Sequence, residues 1–124
     1  MSGIQMALLG AGSSFSVTGG TTSVSGSSSR IGAGTKNVTT SSATVGTVSG
    51  GTPPYSYLWQ YVSGDEATPN SPTSSSTTFT RVMFVGVGES VTETGIYRCR
   101  VTDSASAVIY GPNCNVTTTL SESS

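Results

Sequence analysis

Apolar and polar residues alternate with a period of two along most of the chain from residue 37 onward. Such alternation places apolar side chains on one face of a strand, whereas an amphipathic helix repeats about every 3.6 residues. No stretch of the sequence has the helical period, and clusters of Gly, Pro and Ser separate the alternating runs. The pattern therefore predicts an all-β antiparallel sandwich. The predicted strands cover residues 38–42, 43–48, 55–62, 77–80, 82–87, 93–102, 107–110 and 114–120.

Four aromatic residues fall on one face of the strand predicted over residues 55–62. They are Tyr55, Tyr57, Trp59 and Tyr61. Four rings exceed what a small core requires, so we expect Trp59 in the core and the tyrosines nearer the edge of the sandwich. The tyrosines have two interpretations. They pack on the domain itself, or they are exposed and bind sugar or protein.

The first 36 residues have a different composition from the rest. Residues 1–9 are mostly apolar, and 19 of the 28 residues from 10 to 37 are Gly, Ser or Thr. A flexible linker is one interpretation, but linkers usually carry charge and no charged residue precedes Arg30. We favour an arm that is ordered by packing on a partner and adds strands to it by edge pairing. The apolar residues expected to anchor the arm are Ile4, Met6, Leu8, Leu9 and Phe15.

Charge and composition exclude several classes of function. Only 9% of residues are charged and the net charge is -1, which gives no basic surface for nucleic acid. The chain contains no His, so a Ser-His-Asp triad is excluded and the commonest metal ligand is missing. No apolar run approaches the roughly 20 residues of a membrane span. We therefore expect no nucleic acid and no membrane among the partners.

The charged residues show no pattern typical of an active site. Asp65 and Glu66 are adjacent in a predicted loop and point apart, whereas a glycosidase requires two carboxylates facing one cleft. Calcium binding through these two residues and Asp103 stays open, although the spacing lacks the alternating Asp of a calcium loop. Arg98 and Arg100 are expected to face solvent, where they could pair with carboxylates of a partner. We expect no enzyme, no cofactor and no bound metal.

The two cysteines, Cys99 and Cys114, are 15 positions apart on strands predicted to be neighbours. A disulfide requires Cα atoms within about 7 Å, which spacing alone does not establish. Synthesis in a reducing compartment favours free buried thiols. The sequence therefore leaves the disulfide open and favours the free form.

The run Glu93-Thr94-Gly95-Ile96-Tyr97-Arg98-Cys99, read together with Trp59, resembles the sixth strand of an immunoglobulin domain. In that family a Tyr two residues before a Cys closes a corner with its hydroxyl, and a Trp on the third strand packs near that Cys. The resemblance implies an Ig-like sandwich over residues 37–120 with Trp59, Tyr97 and Cys99 in its core. The chain departs from antibody domains because the predicted strand 43–48 has no Cys for the inter-sheet disulfide.

Two further stretches resemble proteins of bacteria and their phages. Residues 50–59, GGTPPYSYLW, resemble the opening of bacterial and phage Ig-like and PKD-like repeats. Residues 1–10, MSGIQMALLG, are similar to the start of small structural proteins of tailed bacteriophages. Together these resemblances imply a virion protein, made in the host cytoplasm, that serves as a decoration, collar, tail or fibre component.

These expectations divide the chain into three parts. Residues 1–36 form an anchoring and assembly arm, residues 37–120 form the Ig-like domain and residues 121–124 form a C-terminal tail. The arm is expected to contact other virion proteins, and the protein to form a homo-oligomer. The alternative function is a host-surface or carbohydrate-binding adhesion module, in which Tyr55, Tyr57 and Tyr61 contact a host-surface glycan.

Overall fold

The computed structural model of the protein describes residues 14–123, which form twelve strands and no helix. The predicted all-β class is thereby confirmed, and no helix in this range is long and apolar enough to cross a membrane. The strands are β1 (Ser16–Thr18), β2 (Ser23–Arg30), β3 (Gly34–Thr39), β4 (Ala43–Thr44), β5 (Thr47–Ser49), β6 (Ser56–Gly64), β7 (Thr68–Pro69), β8 (Ser76–Thr77), β9 (Phe79–Val85), β10 (Ser90–Thr102), β11 (Val108–Tyr110) and β12 (Cys114–Glu122).

One sheet is built around β10, which is 13 residues long. One edge of β10 pairs antiparallel with β6. The other edge pairs antiparallel with β12 along residues 90–97 and with β11 along residues 100–102. β2 pairs parallel with β12, from Ser23 opposite Asn115 to Arg30 opposite Glu122. The strand order is therefore β6-β10-β12-β2.

The second sheet is centred on β9, which pairs antiparallel with β3 and β7. In the chain, β4 comes after β3 and β8 comes before β9, and these two short strands pair with each other. β1 pairs with β5. Alternate residues of β9 are buried, and β9 lies against β12 and β10 of the first sheet. This arrangement of facing sheets is consistent with a β-sandwich.

Two clusters of buried apolar side chains fill the space between the sheets. In the larger cluster, Trp59 meets Phe79 edge-on at 5.8 Å between ring centroids, and Phe79 lies 4.9 Å from Tyr97. Aromatic pairs in such tilted or edge-on geometries add about 0.5–1.5 kcal/mol each to the burial term. The smaller cluster consists of Val38, Met83, Val85 and Leu120.

Part of the segment assigned to the N-terminal arm pairs with strands of the sandwich in the described structure. β1, β2 and the first residues of β3 all come from the segment assigned to the arm, and β2 pairs with β12 over its whole length. Gly26 allows β2 to approach the backbone of Thr39 closely, because a Cβ at position 26 would lie 2.2 Å from the carbonyl oxygen of Thr39. The uncharged Gly/Ser/Thr sequence therefore forms an edge strand of the domain. The predictions for Ile4, Met6, Leu8 and Leu9 fall outside the described residues.

Several strand ends also differ from the prediction. The strands predicted over residues 38–42 and 43–48 are β3, β4 and β5, with β3 beginning earlier, at Gly34. The strand predicted over residues 82–87 ends at Val85, because the Gly86 carbonyl accepts the Glu89 amide in a turn. The predicted C-terminal tail begins inside β12, which continues to Glu122.

Candidate functional site

The three residues predicted for the core, Trp59, Tyr97 and Cys99, are only 5%, 3% and 1% exposed. Tyr97 nevertheless makes a different contact from the one that the Ig resemblance implies. Its hydroxyl donates to the carbonyl oxygen of Ala67 and accepts the Ala67 amide at 2.7 Å. Tyr97 therefore fixes the β6–β7 loop instead of the turn before β10. Burial raises the pKa of the Tyr97 hydroxyl, which keeps it protonated and able to donate.

Both cysteines are free, buried thiols in the described structure. Cys114 on β12 stands opposite Tyr97, and Tyr97 precedes Cys99 by two residues on β10. Burial raises the pKa of Cys99 to about 11 and also raises the pKa of Cys114. Because only a thiolate is a strong nucleophile or metal ligand, these two side chains contribute packing and no reactive group.

Phe15 and Tyr55 pack on each other within this chain. Their rings are stacked, with centroids 5.8 Å apart and planes inclined by 11°. The Tyr55 hydroxyl donates to the carbonyl oxygen of Gly50 at 2.5 Å. Phe15, predicted to anchor an arm on a partner, is therefore part of the domain, and Tyr55 presents little of its ring to a ligand.

Tyr57 and Tyr61, the other two tyrosines predicted to bind a ligand, lie in different environments. Tyr57 is half-buried against the larger apolar cluster. Tyr61 is 45% exposed, packs edge-on against Tyr97 and donates its hydroxyl to Gly64 at 2.6 Å. Of the three tyrosines, Tyr61 alone offers a substantially exposed ring, so they do not form one aromatic platform.

A buried arginine pins the loop after β6 to the core. Arg81 on β9 is 4% exposed. Its guanidinium donates to the carbonyl oxygens of Asp65 at 2.7 Å, Glu66 at 3.0 Å and Glu93 at 3.1 Å, and to the Thr118 hydroxyl at 2.6 Å. The Glu93 carboxylate lies 3.7 Å from Arg81 Nε, which is a loose ion pair because Nε already donates to Glu66.

A shallow cavity of about 410 Å³ lies beside this arginine, between β7 and β9. It is lined by Glu66, Ala67, Thr68, Thr80, Arg81 and Val82. All three guanidinium nitrogens of Arg81 donate to oxygens of the protein, so the arginine has no free nitrogen for a ligand. The buried guanidinium beside this cavity therefore serves to hold the fold together and is not available to bind a ligand.

Asp103 and Glu122 tie turns at the two ends of the sandwich through backbone amides. Asp103 accepts three amides, and the amide of Thr52 at 2.9 Å is the main reason that its pKa is lowered. Glu122 accepts the amides of Gly88 at 2.7 Å and Gly32 at 2.9 Å, which lower its pKa. Within residues 14–123 no three carboxylates or thiols are grouped so that they could hold a metal ion. Of the carboxylates considered for calcium, Asp65 and Asp103 accept backbone amides.

Two neighbouring arginines lie on the outer face of β10. Arg98 and Arg100 alternate with the buried Cys99 and therefore point away from the core. The guanidinium carbon of Arg98 lies 3.8 Å from the ring centroid of Tyr110, and Tyr110 stands opposite Arg100 in the register. Gln60 on β6 stands opposite Arg98. We call Gln60, Arg98, Arg100 and Tyr110 the arginine face.

Neither arginine of this face has a carboxylate partner in the part of the chain that the structure describes. The salt bridge found there joins Arg81 and Glu93. The Nε atom of Arg100 is buried and has no hydrogen-bond partner there. Guanidinium groups bind carboxylates through paired hydrogen bonds. The sequence pointed to both arginines but missed Tyr110, because its position opposite Arg100 follows from the turn geometry between β10 and β11.

Comparison of the chain with protein-family models, curated proteins and solved structures gives no match. Its function must therefore be inferred from the fold and from its surfaces. The described residues provide the arginine face, and they fix the point at which residues 1–13 join the domain.

Proposed function

We propose that this chain is a structural protein of a tailed-bacteriophage virion, which attaches through residues 1–13 and displays an Ig-like domain. It is made in the host cytoplasm and enters the particle as a decoration, collar, tail or fibre component. The likeness of residues 1–10 and 50–59 to phage proteins supports the virion part of the proposal.

The strand order supports the Ig-like part. In constant-type Ig domains the third, sixth and seventh strands form one sheet, and the first, second, fourth and fifth form the other. Here β6, which carries Trp59, and β10, which carries Tyr97 and Cys99, share one sheet with β12. The strands β3, β7 and β9 share the second sheet, and β1 pairs with β5. Three features depart from this pattern: β2 joins the first sheet by pairing parallel with β12, the hydroxyl of Tyr97 bonds to Ala67, and Cys99 is a free thiol.

The observation that carries the assembly role is the way residues 1–13 join the domain. Phe15 stacks on Tyr55 and β1 pairs with β5, so the chain is held on the sandwich from residue 15 onward. Residues 1–13 carry no charged side chain. Burying one large apolar side chain gains about 1.5–3 kcal/mol, so a partner that covers this segment gains a firmly attached domain. Apart from Met1, the large apolar residues of this segment are Ile4, Met6, Leu8 and Leu9.

Deletion of residues 1–13 tests this proposal more sharply than deletion of the whole predicted arm, because residues 16–36 belong to the domain. The shortened chain should keep the thermal unfolding temperature of the full chain but be missing from particles purified after it is supplied in place of the full chain. A Gln5→Ala variant, which retains the apolar residues, should be incorporated normally. Incorporation of the shortened chain at the copy number of the full chain would contradict the proposal.

A second candidate function, binding of host-surface glycans, is favoured by the arginine face. Acidic sugars carry carboxylates that a guanidinium binds, and an exposed aromatic ring packs on the apolar side of a sugar ring. Tyr110 is 44% exposed beside Arg98 and Arg100. On an array of uronic-acid and neutral glycans, the Arg98→Ala/Arg100→Ala variant should lose acidic ligands, whereas Tyr61→Ala should retain them. Equal binding by all three proteins would remove this candidate.

A further inference from the structure

Four large apolar side chains are exposed along the second half of β9 and in the two turns at the end of the sandwich where β3 begins. Val82 and Phe84 alternate with the buried Met83 on β9 and are 69% and 62% exposed. Ile31, in the turn before β3, is 82% exposed, and Val87, in the turn after β9, is 74% exposed. We call Ile31, Val82, Phe84 and Val87 the apolar patch. Clustered exposed apolar side chains of this kind mark interaction surfaces.

Hydrogen bonds to the Glu122 side chain hold the two turns of the apolar patch side by side. The carboxylate of Glu122 accepts the amide of Gly32 with one oxygen and the amide of Gly88 with the other. Ile31 and Val87 precede these two glycines, so they project from neighbouring turns. A surface that is fixed before binding loses little conformational freedom when a partner arrives.

We propose that the apolar patch binds residues 1–13 of a second copy of this chain. The proposal rests on the attachment role of those residues and names their partner. The segment supplies large apolar side chains and no charge, and the residues opposite Val82 and Phe84 on β3 are the uncharged Asn37 and Thr35. On the β3 side of Val82 and Phe84, the two surfaces therefore bury apolar area against each other without stranding a charge.

Met6, Leu8 and Leu9 cannot cover the patch of their own copy, because the segment joins the domain at the end opposite to the patch. Phe15 stacks on Tyr55, beside the residue that pairs with Thr102 at the end of β10. The patch lies at the other end, near Ser90, and a strand of this length spans about 40 Å. Leu9 reaches at most about 18 Å from residue 14, and Met6 at most about 29 Å, even when the chain is fully extended.

Contact between one end of a copy and the opposite end of the next is heterologous. Each copy then donates its segment to one neighbour and accepts a segment from another. Heterologous contacts generate rings when the rotation between copies closes, and open filaments when it does not. Both outcomes suit a protein that is repeated around a ring or along the tail of a particle.

Two complementary full-length variants test the proposal. The segment variant carries Met6→Ser, Leu8→Ser and Leu9→Ser, and the patch variant carries Val82→Thr and Phe84→Ser. In sedimentation velocity, the native chain should associate as its concentration rises, and each variant alone should stay at the monomer mass of 12.5 kDa. Loss of the apolar contacts should weaken association by about 100-fold or more. An equimolar mixture of the two variants should form a 1:1 complex that grows no further.

A control variant separates this contact from general stickiness. Val108 on β11 is 46% exposed but lies away from the patch, so Val108→Thr should associate like the native chain. Thermal unfolding of each variant verifies that it is folded. Association by either variant alone, or a native chain that stays monomeric at all concentrations, would overturn the proposal. If particle incorporation still required residues 1–13 in that case, the virion role would stand and the segment would bind a different virion protein.

Discussion

Replacing Arg81 by Met tests whether the carbonyl oxygens around this side chain hold the β6–β7 loop to the core. Methionine fills a similar volume but has no donor. The carbonyl oxygens of Asp65 and Glu66, together with the hydroxyl of Thr118, lose the charged donor that the guanidinium provides at 2.6–3.0 Å. The change therefore removes hydrogen bonds from the buried side of the loop.

The magnitude follows from the number and burial of these contacts. A hydrogen bond to a charged group contributes about 1.5–3 kcal/mol, and a buried acceptor left without a partner costs about 1–3 kcal/mol. The desolvation cost of the guanidinium disappears in the variant and offsets part of this loss. We expect Arg81→Met to lower the free energy of unfolding by about 3 kcal/mol. Glu93→Gln should cost less than about 1 kcal/mol, because the ion pair is loose and the Glu93 side chain is 37% exposed.

Urea denaturation followed by the fluorescence of Trp59, the single tryptophan, gives both values directly. Trp59 is 5% exposed and its indole nitrogen donates to Ser74, so unfolding changes its environment strongly. A loss below about 1 kcal/mol for Arg81→Met would refute the reasoning. Equal losses for Arg81→Met and Glu93→Gln would assign the stabilisation to the ion pair instead of the carbonyl oxygens.

Three further predictions address other parts of the fold. Gly26→Ala should destabilise the domain by about 1–3 kcal/mol through overpacking, whereas Ser27→Ala on the exposed side of the same strand should change it little; similar unfolding curves would mean that β2 is not docked as described. Tyr97→Phe should cost about 1–2 kcal/mol in urea denaturation, and no loss would show that its hydroxyl contacts contribute nothing. Cys99 and Cys114 should react with a thiol reagent at pH 8 only after denaturant is added, and rapid labelling of the native chain would contradict their burial.

The period-two pattern predicted the fold class because it reports which face of each strand is buried, and that depends on local alternation alone. The run from Glu93 to Cys99 led to β10, and its alternation placed Tyr97 and Cys99 inward, where both are buried. Trp59 is buried opposite Cys99, as its position on the aromatic strand suggested.

The edge strand β2 could not be predicted from the same pattern. Its sequence, SVSGSSSR, has one large apolar residue, Val24, and its fit depends on close backbone contact at Gly26. Pairing with β12 comes from residues about 90 positions away, which composition does not encode. A Gly/Ser/Thr run therefore has the same appearance whether it is a solvated linker or a strand at a tight sheet edge.

The binding surfaces depended on long-range register for the same reason. The tyrosines of the strand predicted over residues 55–62 share a face in sequence, yet Tyr55 and Tyr57 are covered by packing and Tyr61 lies apart from them. Tyr110 joins the arginine face only because the β10–β11 hairpin places it opposite Arg100. Ile31 and Val87 of the apolar patch lie on two turns that Glu122 ties to one end of β12, whereas Val82 and Phe84 belong to β9.

The virion role is tested most directly by asking whether the chain is part of particles from its native source. Mass spectrometry of gradient-purified particles, with copy number taken from calibrated peptide intensities, gives the answer. The proposed role predicts that the chain co-purifies with the particles in a fixed copy number, repeated as a ring, tail or decoration component requires. Absence of the chain from particles, with the protein found free or on a cell surface instead, would contradict the virion role and leave the domain as an adhesion module.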